Sequence, residues 1–160
     1  SPTFLLIASD GKSYGLTSLR DVGAFGKSLG DVIKVSPSDY AFYAQSTATL
    51  RYFVKDSSGQ MYVVTADGER FQASSAFIDR WNINSINFIT LDDSTLAKIP
   101  LQTNEGKFSS YGSAIFYGIG GKRRPLSSYS AYKNLGGSAQ NTFSASDDFI
   151  NSTPLGPSYP

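Results

Sequence analysis

Six aspartates, Asp10, Asp67, Asp92, Asp93, Asp147 and Asp148, are the carboxylates whose placement invites a catalytic reading. Glycoside hydrolysis needs two carboxyl groups about 5 to 10 Å apart, one protonated and one ionised. All six stand in turn contexts instead, where Asp caps its own backbone. Asp92-Asp93-Ser94 and Ser146-Asp147-Asp148 could place oxygens around Ca²⁺, but neither has the alternating spacing of a calcium loop. The chain has no His and no Cys. Ser-His-Asp and Cys-His catalysis are therefore impossible, and so are a disulfide framework and a zinc-thiolate site. The expectation is a protein that is not an enzyme and that needs no cofactor or metal.

The rings and bases suggest binding. Trp81 is the single tryptophan and invites sugar stacking, but its repeat column also holds Phe25 and Leu135. A column that accepts Leu selects volume, which marks a core position. Tyr14, Tyr62 and Tyr117 lie on or beside hairpins, and Tyr can stack and hydrogen-bond at once. Lys122-Arg123-Arg124 is the one basic cluster, suited to an anionic polymer or to a solvated hairpin tip. Gly118-Ile119-Gly120-Gly121 lacks the spacing and the Lys-Ser/Thr of a phosphate loop.

The elements that must position these residues belong to one domain. The 160 residues are 40% hydrophobic and 14% aromatic, enough for a sizeable core. Fourteen basic against thirteen acidic side chains leave a charge of +1, which gives no broad attraction to nucleic acid or to a membrane surface. No apolar run approaches the roughly 20 residues of a membrane span. The chain begins Ser-Pro rather than Met and lacks a charged segment followed by an apolar stretch. It reads as a piece of a longer polypeptide.

Three copies of one unit account for nearly the whole sequence. Val22, Phe25 and Gly26 recur as Ile78, Trp81 and Asn82, and again as Tyr132, Leu135 and Gly136. Asp10-Gly11, Asp67-Gly68 and Gly120-Gly121 each follow an apolar run, the strongest local hairpin signal, here expected to make type I′ turns. Ser18, Ser74 and Ser128 are expected helix N-caps, and Gly26, Asn82 and Gly136 expected left-handed C-terminal caps. Third runs at Val32 to Val35, Phe88 to Leu91 and Thr142 to Ala145 read as strands. The second copy carries an extra leading strand, Arg51 to Lys55, with a weaker counterpart near Phe108 to Tyr111. The first copy has none.

An apolar strand, a "DGK"-like turn, a Ser-led helix ending in Gly, then Val32-Ile33-Lys34-Val35-Ser36: this pattern resembles a repeat of roughly 50 residues found in tandem in extracellular bacterial proteins. Such repeats often accompany peptidoglycan hydrolases and other secreted enzymes. The third copy departs from the pattern at Gly120-Gly121 and at Asn141-Thr142-Phe143. The resemblance implies a non-catalytic accessory module, secreted or at the cell surface, that attaches its host to cell-wall glycan.

The expectations are these. The chain is mainly β with short helices, in three pseudo-symmetric repeats at 1–46, 47–102 and 103–160, closed as a trefoil-like barrel or stacked as a short solenoid. It binds cell-wall polysaccharide or another glycan, without nucleic acid or membrane insertion, beside other domains of a longer chain. The alternative is a protein-interaction, adhesin or spacer module of a surface protein. The hairpin columns differ most between copies, so ligand contact is expected at Tyr14, Tyr62, Arg70, Tyr117, Arg123 and Arg124, with Trp81 in the core.

Overall fold

The computed structural model describes residues 4–44, 48–83 and 88–160. The expected boundary at 46/47 lies outside them. The second unit shows the full pattern. A leading strand β4 (Phe53–Lys55) turns into the hairpin β5 (Met61–Val64) and β6 (Arg70–Gln72). Helix α3 (Ser75–Trp81), return strand β7 (Ile89–Thr90) and helix α4 (Asp93–Leu96) follow. The third unit repeats it with β8 (Phe108–Tyr111), β9 (Ala114–Ile119), β10 (Lys122–Pro125), α5 (Tyr129–Asn134), β11 (Thr142–Ser144) and α6 (Asp147–Ser152). The first has β1 (Phe4–Ile7), β2 (Ser13–Leu16), α1 (Leu19–Ala24), a 3-10 turn at Leu29–Asp31 and α2 (Pro37–Ala44), and its sheet also takes in β3 (Ala48–Thr49), which lies past the expected 46/47 boundary.

Local chemistry explains the boundaries. Ser18, Ser74 and Ser128 each accept an amide hydrogen bond, from Asp21, Phe77 and Ala131. Gly26, Asn82 and Gly136 all have positive φ, and Asn82 is the one described non-glycine residue that does. Both sets match the sequence reading. The Asp-Gly turns differ from it. Gly11 and Gly68 have positive φ, but Asp10 and Asp67 do not. The Gly11 amide donates to the Ala8 carbonyl and the Ala8 amide to the Lys12 carbonyl, so the loop has three residues ending in a bulge. Only Gly120-Gly121, both at positive φ, form the two-residue turn of type I′ sign.

The closed barrel does not form, and the chain is mixed α/β rather than mainly β. The described residues make three separate sheets and six α-helices, with strand orders β1-β2-β3, β6-β5-β4-β7 and β10-β9-β8-β11. Each full sheet is completed from its own unit. The return strand adds parallel to the leading strand, β7 to β4 and β11 to β8, so no edge is handed to the next unit. The segment after the second helix then bridges back to the hairpin, Leu101 to Arg70 and Leu155 to Arg123. In the first unit β3 does the same against β2.

The sheets pack through two apolar layers. One joins Leu6, Tyr14, Leu16, Val22 and Phe25 of the first unit to Val54, Val64, Leu91, Leu96 and Ile99 of the second. The other joins Phe53, Val63, Phe71, Phe77 and Trp81 of the second unit to Phe116, Phe143 and Phe149 of the third. Alternate residues of β4 and β5 thus enter opposite cores. A sheet covered on both faces needs unbroken apolar runs, which explains Met61-Tyr62-Val63-Val64.

One expected strand is absent. Val32 to Val35 has strand chemistry but no strand geometry. Its counterparts pair with the leading strands β4 and β8, and the first unit has no such strand among its described residues.

Candidate functional site

The hairpin residues expected to meet ligand are occupied within the fold. Tyr14 is 4% exposed, and its hydroxyl donates to the Thr90 carbonyl at 3.1 Å. Burial and the nearby Asp10 carboxylate push its hydroxyl pKa up. Arg70 donates through Nε to the Leu96 and Ile99 carbonyls at 3.1 and 2.9 Å, and its guanidinium lies 4.7 Å from the Tyr62 ring centre. Arg123 repeats this with the Thr153 carbonyl at 3.2 Å and the Phe116 ring at 5.1 Å. Burial lowers its pKa. Tyr117 is stacked on Phe108 and meets Tyr159 edge-on. Arg124 donates to the Pro157 carbonyl at 2.9 Å and covers the Tyr159 ring. Trp81 is fully buried, with its Nε1 donating to the Gly106 carbonyl at 2.7 Å.

The turn aspartates other than Asp67 are likewise engaged. Asp10 accepts from the Lys12 amide, and Asp93 accepts from the Ser57 amide and hydroxyl. Asp92 caps α4. Burial alone would raise its carboxyl, but the Thr95 hydroxyl and amide outweigh this and hold it below the usual range. Among the described residues no group of three or more Asp or Glu is placed to hold a metal ion.

A polar cleft of about 300 Å³ opens where the start of α1, the strand before β4 and the start of α6 converge. Thr17, Ser18, Arg20, Asp21, Thr49, Arg51, Asp147 and Asn151 line it. The capping box of α1 sets one wall. Asp21 accepts from the Ser18 amide at 2.9 Å and from the Thr17 amide and hydroxyl at 2.9 and 3.0 Å. The Tyr52 hydroxyl donates to its other oxygen at 2.6 Å. Burial acts to raise the Asp21 carboxyl, but these hydrogen bonds prevail and hold it below its ordinary value. Burial and that same hydrogen bond push the Tyr52 hydroxyl far up.

The opposite wall rests on Asp148. Its Oδ2 accepts from Arg51 Nε at 2.9 Å and from the Tyr52 amide at 2.8 Å, and Arg51 Nη2 reaches Ser152 Oγ at 3.0 Å. Tyr111 donates to Asp147 at 2.8 Å. The side chains of Arg20 and Asn151 make no hydrogen bond among the described residues, so their donors line the cleft unspent. Two guanidiniums against the carboxylates Asp21, Asp147 and Asp148 leave this cleft without the positive excess that an anionic polymer requires.

Of these residues only Asp147 and Asp148 were candidate functional groups in the sequence, and Ser18 was expected only as a helix cap. The signal was present at Thr17-Ser18-Leu19-Arg20-Asp21, where Ser followed three residues on by an acid marks a capping box. Nothing local marks Arg51 or Asn151. The chain matches no protein-family model, no curated protein and no solved structure.

Proposed function

We propose that the protein is a non-catalytic binding module of a secreted bacterial protein and attaches it to cell-wall glycan or another carbohydrate. The observation that supports this reading is the polar cleft. It offers hydroxyl, amide, guanidinium and carboxylate groups on a rigid frame, with near-balanced charge. That donor and acceptor mixture suits a neutral polyhydroxylated ligand.

The test is sedimentation of the labelled protein with purified bacterial cell walls, before and after removal of wall teichoic acid. Binding is expected in both cases. Arg20→Ala combined with Asn151→Ala should weaken it about tenfold or more, since two ligand-facing donors are lost. The melting temperature should barely move, because both side chains are exposed and unbonded. Equal binding by the double variant, or binding only to walls that retain teichoic acid, would refute this assignment.

A further inference from the structure

The second and third units carry the same three-strand row on the sheet face turned away from the first unit. In the second unit the register aligns Phe53, Val63 and Phe71, and all three are buried in the second core against the third unit. In the third unit it aligns Phe108, Tyr117 and Arg124. One hydrogen bond fixes the correspondence: the Val64 amide donates to the Tyr52 carbonyl, and the Gly118 amide to the Lys107 carbonyl. A guanidinium thus stands where a phenylalanine makes the interface. The Ser-capped helices change in the same sense. Phe77 and Trp81 enter the second core, whereas their counterparts are Ala131 and Leu135. A face that is wholly apolar in one unit is rewritten in the next with polar groups and a charge.

The rings of this outer face form one connected surface. Tyr117 is stacked on Phe108 with ring centres 5.3 Å apart, Tyr159 meets Tyr117 edge-on at 5.2 Å, and Tyr132 meets Phe108 edge-on at 5.1 Å. Three cations are held against it. Lys107 Nζ lies 5.4 Å from the Phe108 ring centre and donates to the Leu135 carbonyl at 2.7 Å. The Arg124 guanidinium lies 5.2 Å from the Tyr159 ring centre and donates to the Pro157 carbonyl at 2.9 Å. Lys133 Nζ lies 6.0 Å from the Tyr132 ring centre and donates to the Gly137 carbonyl at 3.1 Å. Each cation keeps donors beyond the one that its carbonyl accepts. None of the three takes part in an ion pair among the described residues.

We propose that the outer face of the third unit binds an acidic polysaccharide, a chain of uronate-type sugars, with sugar rings against Tyr117 and Tyr159 and carboxylates on Lys107, Arg124 and Lys133. Three cations without a paired carboxylate select an anion. The half-buried tyrosine rings, apolar in body and polar at the tip, suit the flat faces of sugars. The cations are already tethered by backbone carbonyls, so less side-chain freedom is lost when a ligand arrives. A protein surface packed flat on this face, a second copy included, would bury the same charges unpaired, which is costly. A nucleic acid brings far more negative charge than three cations answer, and the net charge of +1 gives it no long-range pull. The face shares no residue with the polar cleft, so it is a second site, independent of that one.

The experiment titrates the protein into fluorescein-labelled oligogalacturonate and follows anisotropy, while backbone amide resonances of the unaltered chain are followed with the unlabelled oligomer. Saturable binding is expected, and added salt should weaken it, because the contacts are ionic. Resonances should move at Lys107, Tyr117, Arg124 and Lys133 and stay still at Arg20 and Asn151. Arg124→Gln combined with Lys133→Gln should weaken binding about tenfold or more, since two charge-assisted hydrogen bonds are lost. The resonance shifts need no variant and so decide the matter even if this one folds poorly. Absence of binding, equal binding by the folded double variant, or shifts confined to the cleft would overturn the proposal. So would equal binding of a carboxyl-reduced oligomer, which would make the rings the whole site. Tighter binding of a uridine oligonucleotide of the same length would overturn it too, by making the occupant a nucleic acid.

Discussion

Replacing Trp81 by alanine tests the packing between the second and third units more directly than any other single change. The side chain is fully buried in the second core. Its ring meets Phe149 edge-on at 5.2 Å and Phe143 at 6.2 Å. Gly118 of β9 lies against the ring so closely that an added Cβ would fall 2.5 Å from it, so the neighbouring backbone has no slack with which to refill a void. Truncation of a buried Trp costs about 3 to 5 kcal/mol when the site cannot collapse. The Gly106 carbonyl also loses its 2.7 Å donor, which adds about 1 kcal/mol. The sum, about 4 to 6 kcal/mol, is a large part of the roughly 5 to 15 kcal/mol that holds a domain together. At about 2 to 4 °C per kcal/mol, the melting temperature should fall by about 8 to 24 °C. Trp81 is the only tryptophan, so urea unfolding must be followed by far-ultraviolet circular dichroism. Gly118→Ala attacks the same contact from the other side and should also destabilise. A loss under about 1.5 kcal/mol for Trp81→Ala would refute the packing argument. A stable variant that no longer binds cell walls would show that the ring is the ligand site after all.

Other outcomes follow from single contacts. Asn82→Ala, at φ 54°, should cost about 1 kcal/mol by denaturant titration, whereas Asn82→Gly should be neutral or slightly stabilising. Arg70→Ala removes a charged donor from two carbonyls and should cost about 2 to 3 kcal/mol; Arg70→Lys should not rescue it, because an ammonium cannot reproduce the Nε geometry. The lowered Asp21 carboxyl contributes stability that is present above the ordinary value near 4 and is lost as pH falls through its folded value, so Asp21→Asn should flatten the acid limb of a stability–pH profile. The raised Tyr52 hydroxyl works in the opposite sense. Its stability is intact below about pH 10 and declines as pH rises above that, so Tyr52→Phe should flatten the alkaline limb.

Features set by neighbours in the chain were legible in the sequence. The three capping serines, the left-handed Gly26, Asn82 and Gly136, and the Val22/Ile78/Tyr132 column depend on contacts within a turn or two of helix. The apolar column Phe25/Trp81 was legible because a core selects size. What depended on distant partners was not. Val32 to Val35 has the composition of a strand, but a strand exists only where another pairs with it. Separate sheets, rather than one barrel, follow from where Leu101 and Leu155 return, and nothing in those residues announces a partner about thirty positions earlier. The polar cleft gathers Asp21, Arg51 and Asn151 from three units, so its spacing along the chain carries no pattern.

Arg70 and Arg123, two of the residues where sequence reasoning expected recognition, share a hairpin column with Ser13, and there the structure shows one task performed by different chemistry. Ser13 Oγ donates to the Tyr43 carbonyl at 2.7 Å. Arg70 Nε donates to the Ile99 carbonyl at 2.9 Å, and Arg123 Nε to the Thr153 carbonyl at 3.2 Å. In each unit a side chain at the start of the second hairpin strand meets a carbonyl near the end of that unit, tying its last turn to its first sheet. A helix end leaves carbonyls without intrahelical donors, and any donor of the right reach can satisfy them. A short hydroxyl suffices where the backbone passes close, and a guanidinium bridges a wider gap while stacking on Tyr62 or Phe116. Residue type at this column therefore tracks the distance to be spanned. Variation there measures local geometry, and a ligand is better sought where donors such as Arg20 and Asn151 remain unspent.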